Sequence, residues 1–269
     1  MVRTVLTIAG SDPSGGAGIE ADIKVITAHR QYAMSVITAL TAQNTCGVSG
    51  VLETPASFVA SQLSCVLSDI PPDAVKIGMT ANAEIICAIG EKLRAYAVPR
   101  VVLDPLMIST SGRQLLAPDA VSTLCSELFP LATLVTPNIP EAETLVGRTL
   151  QNAADRERAA AEIEAKYGCA VLLKGGHAAE GADDLLCQNG KISWFCGTRI
   201  ATKHTHGTGC TLSSAIACGL ADGLPLTEAI RRAKQYLTGA LAAGLVLGHG
   251  NGPLPHWYNI APVPFPDEK

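Results

Sequence analysis

The sequence predicts an α/β fold: a mostly parallel central sheet with helices on both faces and an antiparallel hairpin at one edge. Three observations predict it. Short β-branched and apolar runs alternate with helical periodicities throughout, which is the pattern of parallel strands joined by helical crossovers. The 269 residues are 48% hydrophobic and only 4% aromatic, which suits a large aliphatic core and argues against disorder. Polar and glycine-rich clusters follow the expected strands, and in a parallel sheet those strand ends share one rim. No internal repeat, linker or charge block divides the chain. One domain over residues 1–269 accounts for it, with 253–269 as a Pro-rich loop or tail.

Thr4 to Ala9 reads as a buried first strand. It runs into Gly10-Ser11-Asp12-Pro13-Ser14-Gly15-Gly16-Ala17-Gly18, and then Ile19, Ile23 and Ile26 take helical spacing, with Glu20 and Asp22 near the start. A strand, a glycine loop and a helix in succession form a ligand-binding arrangement. Gly16-x-Gly18-x-x-Ala21 matches the dinucleotide fingerprint only loosely, because Val36 to Thr41 lacks the carboxylate that motif wants about 20 residues on.

Tyr32 to Ala42 is a second strand, ending at Gln43, Asn44 and Thr45. Gln43 is either surface decoration or a reader of donors and acceptors on a small heterocycle. Pro55 to Ser68 is a helix with Phe58, Leu63, Val66 and Leu67 near one face. Ala74 to Ile77 is a strand leading to Gly78 and Met79, and Asn82 caps a helix carrying Ile85, Ile86, Ile89 and Leu93. Val101 to Leu103 is a buried strand followed at once by Asp104, which is either a functional group or a turn cap.

Ser109 to Gly112 is a loop of small residues, and Pro118 opens a short helix. Leu134-Val135-Thr136 ends a strand. Beyond it, Asn138 and Glu141 have capping-box spacing and are also oxygen donors suited to magnesium through water. Asp155 to Tyr167 is a polar, Ala-rich helix, and Ala170 to Leu173 is a strand. Lys174 beside Gly175 and Gly176 is either a phosphate contact or a solvated lysine. Asn189-Gly190 marks a hairpin within Leu185 to Cys196. A last helix runs from Thr227 to about Leu247.

The stretch Lys203 to Ser214 organises the rest. Thr205, His206, Gly207, Thr208, Gly209 and Cys210 form a tight loop feeding a small-residue, apolar helix. The unpaired N–H groups and positive dipole end of such a helix make a ready anion site, and the glycines allow close approach. A thiol at that position is expected to have a lowered pKa and to serve as base or nucleophile. The alternatives are a space-filling Cys at a structural turn, or a metal held by His204, His206 and Cys210, for which no fourth ligand lies nearby.

Net charge is −4, so no electrostatic footprint for nucleic acid exists. The nine cysteines are scattered without a Cys-x-x-Cys pair, and most lie in apolar runs. Buried free thiols and a reducing cytoplasm are the expectation. No signal segment and no uninterrupted apolar run of membrane-spanning length is visible.

Taken together, Thr7 to Gly18, Thr38 to Thr45, Lys76-Ile77-Gly78-Met79, Asp104-Pro105, Thr136 to Ala142, Leu173 to His177 and Thr205 to Ser213 resemble the hydroxymethylpyrimidine/phosphomethylpyrimidine kinases of thiamine biosynthesis, in the ribokinase-like group. The resemblance covers nearly the whole chain. It implies a ribokinase-like fold and ATP-dependent phosphorylation of 4-amino-5-hydroxymethyl-2-methylpyrimidine, then of its monophosphate; some relatives with the same Cys-bearing loop act instead on pyridoxal or pyridoxine. By the same resemblance, Gly10, Asp22, Gln43 and Met79 surround the pyrimidine. Cys210 takes the substrate proton where ribokinase relatives have Asp, and Gly207, Thr208 and Gly209 form an anion hole. Asp104, Asn138 and Glu141 organise Mg2+, while Lys174 and Thr205 meet ATP. A homodimer is implied too. The chain departs from the family pattern at Leu106 and at Thr110, where a Lys is common. No Gly-x4-Gly-Lys-Ser/Thr loop exists, so ATP is held differently from the P-loop class.

Overall fold

The computed structural model describes residues 2–107, 116–176 and 182–261. The expectations for Ser109 to Gly112, Thr110 and His177 lie outside the described residues. One nine-stranded sheet runs through them in the order β3-β2-β1-β4-β5-β6-β7-β8-β9. Its strands are β1 (Thr4–Ser11), β2 (Tyr32–Asn44), β3 (Gly47–Glu53), β4 (Ala74–Ile77), β5 (Val101–Leu103), β6 (Leu134–Val135), β7 (Ala170–Leu173), β8 (Asp184–Gln188) and β9 (Lys191–Phe195). From β2 to β7 the pairing is parallel; β8 and β9 add the expected antiparallel hairpin. Its turn has Asn189 at φ 53° and Gly190 at φ 70°, the left-handed pair that a two-residue hairpin requires.

The sheet is covered on both faces. On one face α1 (Gly18–Ala28), α7 (Thr208–Ala221) and α8 (Leu226–Ala243) pack on Val5, Ala74, Val102, Leu134, Ala170 and Leu172. On the other face α2 (Ala56–Asp69), α3 (Ala83–Ala95), α4 (Pro118–Glu127), α5 (Ile139–Val146) and α6 (Ala153–Tyr167) pack on Leu6, Ile8, Val75, Ile77, Leu103 and Val171. Alternate residues of each strand feed opposite layers, as the period of two dictates. α7 is buried continuously from Cys210 to Ala221, which is why its sequence shows no polar face.

Three expectations change. β3 was not expected; it pairs antiparallel with β2 and forms the second edge. α8 stops at Ala243, where Gly244 takes φ 63°, so Leu247 lies beyond the helix and is exposed. The start of the expected Pro-rich tail is packed: Gly252 to His256 is buried, whereas 262–269 lie outside the described residues. The His206 backbone N–H donates to the Gly252 carbonyl at 3.1 Å, and the Tyr236 hydroxyl donates to the His256 carbonyl at 2.5 Å.

Candidate active site

β1 departs to α1 and β2 on one side, and the chain returns through α2 to β4 on the other. A parallel sheet opens a crevice at such a reversal, outside the carboxyl ends of the strands. A cleft of about 670 Å³ lies there. Gly10, Gln43, Met79, Asp104, Asn138, Glu141, Lys174, Thr205, Gly207, Thr208, Gly209 and Cys210 all line it. These residues come from widely separated parts of the chain, and the topology brings them to one rim.

Asp22 is the exception. Its side chain is fully buried and pairs with the fully buried Lys76 at 2.7 Å. It also accepts hydrogen bonds from the Thr7 hydroxyl at 2.6 Å and the Ser214 hydroxyl at 2.7 Å. It faces inward from α1 toward β4 and α7, so the structure corrects its expected contact with a ligand. Burial is the largest influence and works against the Lys76 ammonium, but the Asp22 charge and hydrogen bond, with Cys210 and Asp104, together outweigh it and raise Lys76 above the usual lysine range.

Gly207 is the N-cap of α7 with φ 82°. A Cβ there would lie 1.8 Å from the Gly16 carbonyl oxygen, so only glycine lets the two glycine loops interlock. A Cβ on Gly209 would sit 3.2 Å from Asp104 Oδ2 and 3.6 Å from Lys174 Nζ. The first turn of α7 therefore abuts the charged cluster at the ends of β5 and β7.

In that cluster Lys174 Nζ donates to Asp104 Oδ1 at 2.6 Å. Burial disfavours the Lys174 ammonium, but the Asp104 and Glu141 carboxylates hold its pKa above the usual range. Asn138 caps α5: its side chain accepts from the Glu141 N–H at 2.9 Å, while Glu141 Oε2 accepts from the Asn138 N–H at 2.8 Å. The capping-box role expected of this pair is the observed one. Glu141 Oε1 is buried with no hydrogen-bond partner among the described residues. Burial first, and Asp104 as a further cause, push the Glu141 carboxyl up to about 7, against the pull of Lys174.

Cys210 is buried yet lines the cleft. Its expected low pKa is overturned. Burial is the largest influence and pushes the thiol up; Lys76 and the Gly18 N–H pull it down, while Asp22 and Asp104 push it further up. The helix terminus is present as expected, but desolvation of the sulfur wins. No group of three or more His, Cys, Asp or Glu able to hold a metal occurs among the described residues, and His206 is instead bonded to Asp12. Cys125, Cys169, Cys187, Cys210 and Cys218 are buried free thiols, whereas Cys46, Cys65, Cys87 and Cys196 are exposed.

Several contributors had no separate reading in the sequence. Gly197, Arg199, Lys234, Leu237 and Leu241 extend the cleft beyond Lys174. Lys234 Nζ pairs with Asp184 Oδ2 at 2.5 Å, and Asp184 Oδ1 accepts from the Gly175 N–H at 2.8 Å. Lys76 could have been found: a lysine inside an otherwise apolar strand must have a buried counter-charge.

An α/β sheet with a buried helix N-terminus, an acidic pair and a lysine at one strand-end cleft defines a phosphoryl-transfer enzyme acting on small molecules. The comparisons narrow this class. The family model described as phosphomethylpyrimidine kinase matches residues 12–255, and the chain belongs to that family. It is 51% identical over 254 residues to the thiamine biosynthesis bifunctional protein of Geobacter sulfurreducens, covering 94% of this chain and 52% of that one. The chain thus spans about half the length of that relative. It is 47% identical over 262 residues to the hydroxymethylpyrimidine/phosphomethylpyrimidine kinase of Rhizobium meliloti, covering 96% and 98% of the two chains. The pyridoxal kinase of Staphylococcus aureus in complex with ADP superposes with a TM-score of 0.89 at 34% identity, covering 97% of this chain and 96% of that one. The ribokinase-like architecture implied by the sequence is therefore the observed one.

Proposed function

We propose that the protein uses ATP to phosphorylate the hydroxymethyl group of 4-amino-5-hydroxymethyl-2-methylpyrimidine, and then the resulting monophosphate, in thiamine biosynthesis. The observation that carries this reading is convergence: the Cys210 thiol, the N-terminus of α7, Lys174, Asp104 and Glu141 share one cleft with Gln43 and Met79.

Phosphoryl transfer asks a protein for positioning and charge neutralisation more than covalent chemistry. Gly10 and Met79 supply small and apolar wall for a flat ring, and Gln43 supplies a donor and an acceptor for its heteroatoms. Cys210 in its thiolate form accepts the proton of the attacking hydroxyl and becomes the neutral thiol. The N–H groups of Gly209 and Cys210, in the first turn of α7, stabilise charge on the transferred phosphoryl, while the Thr208 N–H donates to the Thr205 carbonyl at 3.3 Å. Lys174 exchanges its contact with Asp104 for phosphate oxygen, and Thr205 adds a hydroxyl beside it. The far part of the cleft, by Gly197 and Leu241, takes the nucleoside.

Magnesium fits this donor set: hard carboxylate oxygens, one of them the orphaned Glu141 Oε1, suit an ion that keeps several waters and binds phosphates. Asp104 and Glu141 would hold it and Asn138 would orient Glu141; the ion would neutralise phosphate charge. Residence in the cytoplasm and a homodimer belong to the same reading, supported by the free thiols and by the family resemblance. No described helix is long and apolar enough to cross a membrane.

Pyridoxal phosphorylation is the second reading, favoured by the 34% identity and the TM-score of 0.89 to the Staphylococcus aureus pyridoxal kinase. Phosphorus NMR of the protein with ATP, magnesium and hydroxymethylpyrimidine tests the first. The monophosphate is expected, followed by the diphosphate. ATP left intact, with no phosphorylated pyrimidine, overturns it.

A further inference from the structure

Asp12, His206 and Gln43 form a chain of contacts between the two glycine loops, and its hydrogen-bond complement is over-determined. Asp12 Oδ2 accepts from the N–H groups of Gly16 at 3.2 Å and Ala17 at 2.9 Å. Asp12 Oδ1 accepts from the Ser14 N–H at 2.9 Å and the Ser14 hydroxyl at 2.7 Å. The carboxylate is thus purely an acceptor. His206 Nε2 lies 2.7 Å from Asp12 Oδ2, so that nitrogen carries a hydrogen.

Gln43 meets the same nitrogen. Its Nε2 lies 3.2 Å from His206 Nε2, and its Oε1 lies 3.3 Å from the Thr41 hydroxyl oxygen. Thr41 spends its single hydrogen on the Ser11 carbonyl at 2.9 Å. In that orientation donor faces donor at His206 and acceptor faces acceptor at Thr41. The two ends of the amide have nearly the same shape, and turning it over gives Thr41 an N–H donor and places the Gln43 oxygen where it shares the single His206 Nε2–H, whose main acceptor is Asp12 Oδ2.

We infer that Asp12 and His206 are positioning residues that hold the Gln43 amide with its oxygen toward His206 and its nitrogen toward Thr41, and so select the donor–acceptor order a ligand ring must present. His206 is itself fixed. A Cβ on Gly16 would fall 2.3 Å from His206 Cδ2, so the imidazole packs against bare Gly16 backbone, and the His206 backbone N–H is tied to the Gly252 carbonyl at 3.1 Å. A ring docking on Gln43 meets an acceptor on the His206 side and a donor on the Thr41 side. An aminopyrimidine edge, with its amine beside a ring nitrogen, offers that complement. The pyridine ring of vitamin B6, whose nitrogen has no neighbouring amine, does not. This inference deepens the proposed function and rests on it for the ligand, but not for the orientation.

The test therefore has two arms. In ligand-free protein with 15N-labelled histidine, His206 is expected to carry hydrogen on Nε2. A bare Nε2 overturns the inference, whatever the substrate proves to be. In kinetics with hydroxymethylpyrimidine and pyridoxal as probes, His206→Ala is expected to raise the pyrimidine KM about tenfold, the worth of one lost hydrogen bond, and the pyridoxal KM less. His206→Gln, which returns an N–H donor, is expected to recover most of that loss. Equal loss for both substrates, or no recovery with Gln, overturns it. If His206→Ala does not fold, Thr41→Val removes the acceptor at the other end of the amide. The same split between substrates is expected, and an unchanged pyrimidine KM overturns the inference.

Discussion

Lys174 and Asp104 are joined by a 2.6 Å ion pair at the foot of the cleft, directly below the first turn of α7. The lysine side chain is 14% exposed and the aspartate 1%, so this pair is shielded from solvent and each partner depends on the other. Lys174 is also the cation that restrains the upward shift of Glu141.

Replacing Lys174 by Met is expected to lower kcat by about 10²- to 10³-fold, the cost of removing one preorganised charge-stabilising group. It removes the ion-pair partner of Asp104 and the cation that pulls Glu141 down, so the Glu141 titration moves further up. Steady-state kinetics at saturating magnesium check the first effect. A kcat within a few-fold of the parent protein removes Lys174 from the transition state.

The Cys210 thiol is pushed up chiefly by burial, so the thiolate is a minor species near neutral pH. Activity limited by it rises about tenfold per pH unit until the thiol titrates. Cys210→Asp places a group that is ionised much lower on the scale, so the rising limb moves toward lower pH. Profiles of kcat for both proteins measure this. Superimposable profiles contradict Cys210 as the proton acceptor.

Asp22 is held by Lys76, Thr7 and Ser214 and does not line the cleft. Asp22→Ala strands a buried lysine, and loss of about 3–5 kcal/mol of stability is expected. Chemical denaturation reads that loss. A large rise in pyrimidine KM without loss of stability would restore Asp22 as a ligand contact.

Glu141 has a folded-state pKa of about 7 against 4.5 for the ordinary carboxyl. Folding thus favours its protonated form. That stabilisation is whole below the ordinary value and is lost as pH rises through the folded one. Glu141→Gln keeps the capping-box geometry and removes the ionised form. Its melting temperature is expected to exceed the parent's at about pH 8 but not at about pH 5, while magnesium activates it less. Scanning calorimetry at the two pH values decides.

Much of this was legible in the residues. Ala74–Ile77, Val101–Leu103 and Ala170–Leu173 are apolar runs bounded by polar or glycine-rich segments, and their ends coincide with the strand ends. Gln43, Asp104, Asn138, Glu141, Lys174 and Cys210 were found because parallel topology places strand and helix ends together. β3 was not found: it is half-exposed, with Gly47 and Gly50 and no continuous apolar run, and its pairing with β2 is a tertiary fact. The wall by Lys234 and Leu241 lies on a helix far along the chain. The direction of the Cys210 shift depends on burial that periodicity does not encode. The order of Pro253 to His256 is not legible in the residues because it comes from contacts with His206, Thr211 and Tyr236, not from local propensity.

The most direct test of the account is Cys210→Ala, measured for phosphoryl transfer to hydroxymethylpyrimidine and for binding of that pyrimidine. If the sulfur acts on the proton of the attacking hydroxyl, kcat falls by about 10²- to 10⁴-fold while the pyrimidine Kd stays close to the parent value. An unchanged kcat would contradict the account, because the cleft would then work without the residue around which it is built.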